Sequence, residues 1–304
     1  MSLPTAPDDT SQHRAGYVAI IGRPNVGKST LLNRLVGEKV SIVSPKAQTT
    51  RLRITGIVTR PGTQIVFVDT PGYQTAHRST LNRLMNRSVS AAIEEVDAAI
   101  CVVEALRFDE RDQAVMNLIA PGLPAVLALN KIDRVDDKKR LLPFIERLAA
   151  LRDFAAVVPV SASKGTQLEA LLDATTSLLP PGPAPFDGDE LTTVSERVLA
   201  AELLREKLFR LLGEEVPYGT AVEIERFETR GGLRRICAAI LVAKNSQKGM
   251  VIGKGGEKLK TVGTQARHDM ERLFGGKVHI ELWVKVRSGW ADDPSALKRL
   301  GYTE

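Results

Sequence analysis

Gly22-Arg23-Pro24-Asn25-Val26-Gly27-Lys28-Ser29 satisfies the pattern G-x-x-x-x-G-K-[ST], a spacing suited to cradling a polyphosphate. The glycines let backbone N–H groups turn inward, where they and the start of the next helix form a concave anion site. Lys28 brings a full positive charge to the β- and γ-phosphates and Ser29 a hydroxyl for Mg²⁺, with Asn25, Val26, Gly27 and Thr30 completing the phosphate-facing run. A nucleoside triphosphate is the first ligand to consider. Asn130-Lys131-Ile132-Asp133 then selects the base. A carboxylate accepts and cannot donate, so Asp133 pairs with the N1–H and exocyclic NH₂ of guanine and finds no such donors on adenine. Lys131 would lay its stem over the purine and Asn130 would brace neighbouring loops. Ser161-Ala162-Ser163 offers a backbone N–H for the guanine O6. In Asp69-Thr70-Pro71-Gly72, Asp69 can hold Mg²⁺ through water while the Gly72 N–H reaches the γ-phosphate. N-K-x-D alone could be a solvated turn and Ser-Ala-Ser an ordinary loop; their order behind a phosphate loop gives them weight.

Every one of these motifs follows an apolar run, as a site at the carboxyl ends of strands requires. Strands are expected at 17–21, 53–58, 64–69, 98–103, 125–130 and 155–160, most of them followed by helical periodicity such as Leu31, Leu32, Leu35 and Val36. The alternation predicts an α/β domain with a mostly parallel sheet. Arg60-Pro61-Gly62-Thr63 joins the second and third strands by a turn, which puts one antiparallel strand at an edge. Leu179-Pro180-Pro181-Gly182-Pro183-Ala184-Pro185 breaks the periodicity. It divides the chain into a disordered arm (1–14), a nucleotide domain (15–180), a semi-rigid linker (181–192) and a smaller α+β domain (193–304) with a C-terminal extension. The last is read as a helix (194–212), two strands (220–228 and 233–243), a helix pair meeting at Gly253 to Gly256, and a final strand (278–287).

With 304 residues, 43% hydrophobic and 26% charged, two soluble globular domains are expected. No run of 18 or more apolar residues occurs and the first 14 residues are polar, so a cytoplasmic protein is expected. Cys101 and Cys237 lie in apolar runs and are read as core packing. The net charge of +6 is regional: residues 230–287 hold 13 Lys and Arg against 4 Asp and Glu, and the rest of the chain 29 against 32. Such a cluster is the footprint of phosphate-backbone binding, although a solvated surface or an acidic partner would also produce it.

The four motifs in this order resemble those of translation-factor-class small GTPases. The resemblance implies a first switch at Gln48-Thr49-Thr50-Arg51-Leu52 and a second at Asp69-Thr70-Pro71-Gly72-Tyr73. One threonine would close over Mg²⁺ when the γ-phosphate is present; Thr50 is favoured over Thr49 because it precedes Arg51 in a Thr-Arg pair seen in related GTPases. The metal set implied is Ser29, Thr50 and Asp69, and the catalytic set Lys28, Thr50, Gly72 and Asn25. Tyr73 stands where Ras-like enzymes carry a water-orienting glutamine, with Gln74 one place late. Arg23 is expected to face solvent. Intrinsic hydrolysis of GTP to GDP should therefore be slow and partner-stimulated. By resemblance Asn25 recruits K⁺ beside the phosphates, a simple bracing amide being the other reading.

Val251-Ile252-Gly253-Lys254-Gly255-Gly256-Glu257-Lys258 contains G-x-x-G followed by an amphipathic stripe, Leu259, Val262, Ala266, Met270 and Leu273. With flanking helices and the local charge, this is the arrangement of a type II KH domain, whose loop clamps the backbone of single-stranded nucleotides. Gly253, Gly255 and Gly256 would permit close approach, and Lys248, Lys254 and Lys258 would face phosphates. In the final strand Trp283 is either a partly exposed stacking platform or a residue covered by the other domain. With Glu196 to Phe227 and Glu281 to Trp290 included, nearly the whole chain resembles the Era family of bacterial ribosome-assembly GTPases. That implies binding near the 3′ end of small-subunit ribosomal RNA in the immature small subunit, with peripheral contact to the inner membrane. A monomer is expected and DNA is not. A regulatory GTPase docking on protein or membrane to coordinate growth or division, and an RNA chaperone with incidental hydrolysis, remain the other readings.

Overall fold

The computed structural model describes residues 13–44, 46, 49–73, 79–213 and 216–302. Two compact units are interleaved in sequence: Met1–Gly37, Thr55–Asp69 and Ser90–Thr193 form one, and Glu38–Ile54, Thr70–Val89 and Val194–Glu304 the other. The contiguous division expected at the proline-rich segment thus differs from the observed one by two excursions, 38–54 and 70–89.

In the first unit the order is β1 (Arg14–Ile21), α1 (Lys28–Val36), β2 (Ile54–Arg60), β3 (Thr63–Asp69), α2 (Thr80–Glu94, from Ser90 onward in this unit), β4 (Ala98–Glu104), α3 (Glu110–Met116), β5 (Ala125–Asn130), α4 (Leu141–Ala149), β6 (Ala156–Pro159) and α5 (Leu168–Thr176). The sheet order is β2-β3-β1-β4-β5-β6. β1 pairs in parallel with β3 on one side and β4 on the other, Val18 facing Phe67 and Ala98. A strand so placed is covered on both faces, which is why Val18 to Ile21 are apolar without alternation and fully buried. β2 and β3 are hydrogen-bonded neighbours joined by two residues, a connection open only to antiparallel strands. The expected antiparallel edge strand is β2.

Two expectations are corrected at this unit's border. Residues 1–12 of the expected arm lie outside the described residues, but Arg14 begins β1: its N–H donates to Gly62 O at 3.0 Å and its guanidinium to Leu179 O, while His13 Nδ1 lies 2.8 Å from Gly182 O. The expected linker is also held down. Gln64 and Phe186 exchange two 2.9 Å hydrogen bonds, Ile57 N–H donates to Leu191 O at 2.8 Å, and Thr55 Oγ1 lies 2.7 Å from Thr193 Oγ1. Proline removes backbone donors within 180–185, yet Pro180 O accepts from Ala15 N–H at 3.2 Å and Gly182 N–H donates to His13 O at 2.9 Å, while the side-chain amide of Gln64 takes both backbone groups of Phe186.

In the second unit α6 (Glu196–Leu211), β7 (Thr220–Arg230), β8 (Leu233–Val242), α7 (Asn245–Ile252), α8 (Glu257–Phe274) and β9 (Val278–Val286) follow the expected order. β7 pairs antiparallel with β8, and β8 parallel with β9, so that Thr220 faces Val242 and Val242 faces Val286. One face of this sheet meets α6 and α8 through Leu204, Leu208, Val262, Ala266 and Met270. The other is covered by Leu81 and Met85 of α2, by Trp290, and by a short helix that patterning missed, α9 (Pro294–Arg299). Its signal was Asp293-Pro294-Ser295, an N-cap followed by proline. Trp283 is half-buried against that second cluster, which belongs to its own unit, with Lys285 Nζ 5.7 Å from its ring centre. Cys101 is buried in β4, its thiol pushed up to about 12 by desolvation. Cys237 corrects the core expectation: it is half-buried, its Sγ 4.0 Å from Glu281 Oε2 on the neighbouring strand.

Candidate nucleotide site and nucleic-acid groove

The phosphate loop joins β1 to α1. Asn25 sits at φ 66° and Gly27 at φ 105°, left-handed conformations that asparagine tolerates and glycine adopts freely. At Gly27 space decides as well: a Cβ there would stand 2.3 Å from Asn130 Nδ2. Gly27 caps α1 with no side chain, leaving the first-turn N–H groups to the loop's concavity. Lys28 is buried and donates to the carbonyls of Gly22 at 2.9 Å and Arg23 at 3.2 Å. Burial lowers its amine to about 8 despite the nearby Asp69. Polyphosphate binding needs the ammonium, so the free protein must take up a proton once pH exceeds that value. Nucleotide affinity should therefore fall by up to about tenfold per pH unit above 8; titration calorimetry of GDP from pH 7 to 9.5 checks this, the Lys28→Arg variant showing no such break.

Ser29 Oγ donates to Asp69 Oδ2 at 2.6 Å. A hydroxyl and a carboxylate in contact at the start of α1 and the end of β3 are a hard-oxygen donor pair of the kind Mg²⁺ takes. Thr70, Pro71 and Gly72 are buried beyond Asp69, Tyr73 is half-buried, and Gln74 lies outside the described residues. Arg23 corrects an expectation. Its Nε donates to both carboxylate oxygens of Asp112 at 3.0 Å and its Nη2 lies 3.5 Å from Glu104, leaving the side chain 13% exposed. Charge-assisted bonds of about 1.5–3 kcal/mol each would have to break before this guanidinium turned to a phosphate.

The base-side motifs meet around Asn130. Its Nδ2 donates to Val26 O at 2.8 Å and its Oδ1 accepts the Ala162 N–H at 3.0 Å, so one side chain ties three loops together. Lys131, at φ 66°, donates from Nζ to Asn25 O and to Glu104 Oε2, both at 2.7 Å. Asp133 accepts from Ser161 Oγ at 2.5 Å and Ser163 Oγ at 3.3 Å. The Ser161 bond holds its carboxyl below the ordinary value, keeping an exposed acceptor ionised. The tripeptide's visible work is thus done by hydroxyls. Two of its amides are engaged within the protein, Ser161 N–H with Thr166 O at 3.2 Å and Ala162 N–H with Asn130. Sequence reading missed Glu104, although its place at the carboxyl end of β4 was a usable signal.

Of the first-switch residues, Gln48 lies outside the described residues. Thr49 Oγ1 donates to Lys46 O at 2.6 Å, Thr50 and Arg51 are buried, and Leu52 is half-buried. The segment counts with the second unit.

In that unit the G-x-x-G loop runs from α7 into α8. Gly253, Gly255 and Gly256 all have positive φ (75°, 60° and 81°), and a Cβ on Gly253 would stand 2.8 Å from Lys258 Cγ. Lys254 and Lys258 are exposed and Lys248 half-exposed. Beside the loop opens a groove of about 380 Å³ with Leu259, Ile280 and Leu282 as its apolar lining and Lys260, Thr264 and Arg267 as its polar lining. An apolar floor with charged edges suits unstacked bases and their phosphates. The polar members were legible in principle, since 260, 264 and 267 recur at helical spacing along α8.

The sequence matches the family model for a 50S ribosome-binding GTPase over residues 17–131 and the KH domain model over residues 215–291. It is 56% identical to the GTPase Era of Nitrosomonas eutropha over 292 residues, covering 96% of this chain and 99% of that protein. With the GTPase Era of Stenotrophomonas maltophilia it shares 54% over 295 residues, 97% and 99% of the two chains. Among solved structures, a variant of Aquifex aeolicus Era bound to GDP·AlF₄⁻ superposes with a TM-score of 0.92 at 38% identity, over 96% of this chain and 100% of that one. Era in complex with MgGDPNP and nucleotides 1506–1542 of 16S ribosomal RNA gives 0.91 at 38%, with the same coverage. Likeness of this degree, spanning both the nucleotide loops and the KH groove, places the chain in the Era family of GTPases.

Proposed function

We propose that this protein hydrolyses GTP to GDP and phosphate and uses the nucleotide state to time its binding to the 3′ region of small-subunit ribosomal RNA during assembly of the small subunit. The observation that carries this reading is the presence in one chain of two complementary sites. One is a guanine-selecting carboxylate fixed by Ser161 and Ser163; the other is a groove with basic edges beside a G-x-x-G loop. A relative of the same architecture is solved with a GTP analogue and 16S ribosomal RNA together. Lys28 holds the β- and γ-phosphates, Asn130 keeps the loops in register, and Asp133 reads the base. Mg²⁺, when bound, would neutralise phosphate charge; Ser29 and Asp69 fit it, and Thr50 joins them on the reading of the first switch.

Hydrolysis without a partner is slow on this account. Tyr73 cannot orient water as a glutamine amide does, and Arg23 is committed to Asp112 and Glu104. K⁺ recruited at Asn25 supplies the missing positive charge. Hydrolysis should run about tenfold or more faster in KCl than in NaCl, and Asn25→Ala should remove that difference; equal rates in both salts would refute the role of K⁺. RNA and the immature subunit are the expected activators. A rise in kcat on adding small-subunit ribosomal RNA tests the coupling, and no rise would favour docking on another partner. No helix among the described residues is long and apolar enough to cross a membrane. A cytoplasmic location with peripheral contact to the inner membrane is part of the proposal and rests on the resemblance alone.

A further inference from the structure

The described residues between α1 and β2 include neither helix nor strand, yet several of them are fastened to the rest of their unit. Arg51 is 2% exposed; its guanidinium donates to Thr220 O at 2.9 Å and Tyr218 O at 3.0 Å and lies 5.6 Å from the Phe209 ring centre and 5.7 Å from that of Trp290. Arg205 donates to Thr49 O. Lys39 Nζ bridges Glu206 at 2.5 Å and Asp269 at 2.7 Å, Val43 N–H donates to Glu206 Oε1 at 3.1 Å, and Lys46 Nζ to Leu212 O at 2.6 Å. These partners lie in α6 or the residue after it, in α8, at Trp290, and at the turn and first residue of β7.

Burying a guanidinium is unfavourable unless its donors are satisfied, and here desolvation lowers the affinity of Arg51 for its proton. Backbone carbonyls take its two Nη groups and two aromatic rings flank it, a planar arrangement that a lysine ammonium cannot reproduce, while its Nε is buried without a hydrogen-bond partner among the described residues. A loop that had only to close over a nucleotide would need none of this. Arg51 also follows directly on Thr50, so fixing its side chain fixes the backbone that presents the threonine.

We infer that α6 and the start of β7 form the platform on which the first switch is mounted, with Arg51 as the positioning residue that ties the place of Thr50 to the RNA-binding unit. The inference rests on the reading of 48–52 as the nucleotide-sensing loop. A change in Thr50 on exchange of GTP for GDP then pulls on Thr220 and Tyr218 through Arg51, and RNA bound to the second unit pulls in the reverse direction, as linkage requires.

Hydrogen exchange on the full chain, loaded with GDP or with a non-hydrolysable GTP analogue, tests this. In the unmodified protein the exchange rates of 49–52 and 216–220 should change together, by about fivefold or more. In Arg51→Met the change should be confined to 49–52, and Arg51→Lys should restore little of the joint response. Should Arg51→Met fail to fold, Lys39→Met carries the test: it should weaken the joint response while leaving GDP affinity within twofold. Independent behaviour of the two segments in the unmodified protein, or a joint response that survives both methionine variants, would overturn the inference. Failure of the underlying reading is a separate outcome, seen as no nucleotide-dependent change at 49–52 at all, and it would overturn the inference with it.

Discussion

Asp133→Asn should convert a site that prefers guanine nucleotides into one that prefers xanthine nucleotides. The carboxylate accepts from two adjacent donors on guanine, N1–H and the exocyclic NH₂. An asparagine amide can accept only one of them, and its own NH₂ then faces the exocyclic NH₂, donor against donor. The loss is about 100-fold or more in GDP affinity, roughly 3 kcal/mol, because one guanine donor loses its acceptor and faces another donor instead. Xanthine carries a carbonyl where guanine carries that amine, so the asparagine NH₂ has an acceptor again. The loop itself should survive, since the hydroxyls of Ser161 and Ser163 that now donate to Asp133 can rotate to accept instead. Competition between GDP and XDP for a fluorescent nucleotide reads the switch directly. Equal loss of both would mean that Asp133 holds the loop and does not read the base.

The second large effect should appear at the other end of the chain. Changing Lys254 and Gly255 together to aspartate reverses the charge of the G-x-x-G loop by three units, at positions where nothing else is disturbed. Lys254 is exposed, a Cβ on Gly255 meets nothing within 4 Å, and aspartate tolerates the left-handed φ of 60°. RNA affinity should fall about 100-fold or more and its salt dependence should flatten, as expected when phosphate contacts are removed. GDP affinity should stay within twofold. Gly253 would make a poorer probe, because its Cβ would strike Lys258 and change the loop's shape as well as its charge. Unchanged RNA binding in the double variant would send the basic face to a protein partner.

Both predictions concern residues that could be found from spacing alone, and the reason is physical. A phosphate loop, a base-reading carboxylate and a KH loop are short segments whose chemistry demands particular residues at fixed separations, and each sits at the end of an element with its own hydrophobic period. The order of strands and helices in both units was legible for the same reason. What spacing could not show is pairing across long separations. The seven charges of α6 are mixed in sign, and nothing in their spacing shows that Glu202, Arg205, Glu206 and Lys207 are buried. They can be buried because Lys39 and the backbone of 43 and 49 come to meet them and because Glu202 pairs with Arg205. Burial alone would push the Glu206 carboxyl up; its bonds to Lys39 and Lys207 outweigh that and leave it below the ordinary value. The same limit explains Arg23, whose partner Asp112 lies 89 residues away, and the proline-rich segment, whose fastening to Gln64 no local pattern reveals. Cys237 was misplaced because an apolar run fixes a strand but not how fully each face is covered.

The central claim is that one chain couples a GTP site to recognition of small-subunit ribosomal RNA. Crosslinking the protein to total cellular RNA, loaded in parallel with a non-hydrolysable GTP analogue or with GDP, and sequencing what is recovered, tests target and switch at once. The account predicts reads concentrated at the 3′ end of small-subunit ribosomal RNA, in amounts that differ severalfold between the two nucleotides. Reads spread over unrelated RNAs, or equal recovery in both states, would contradict it.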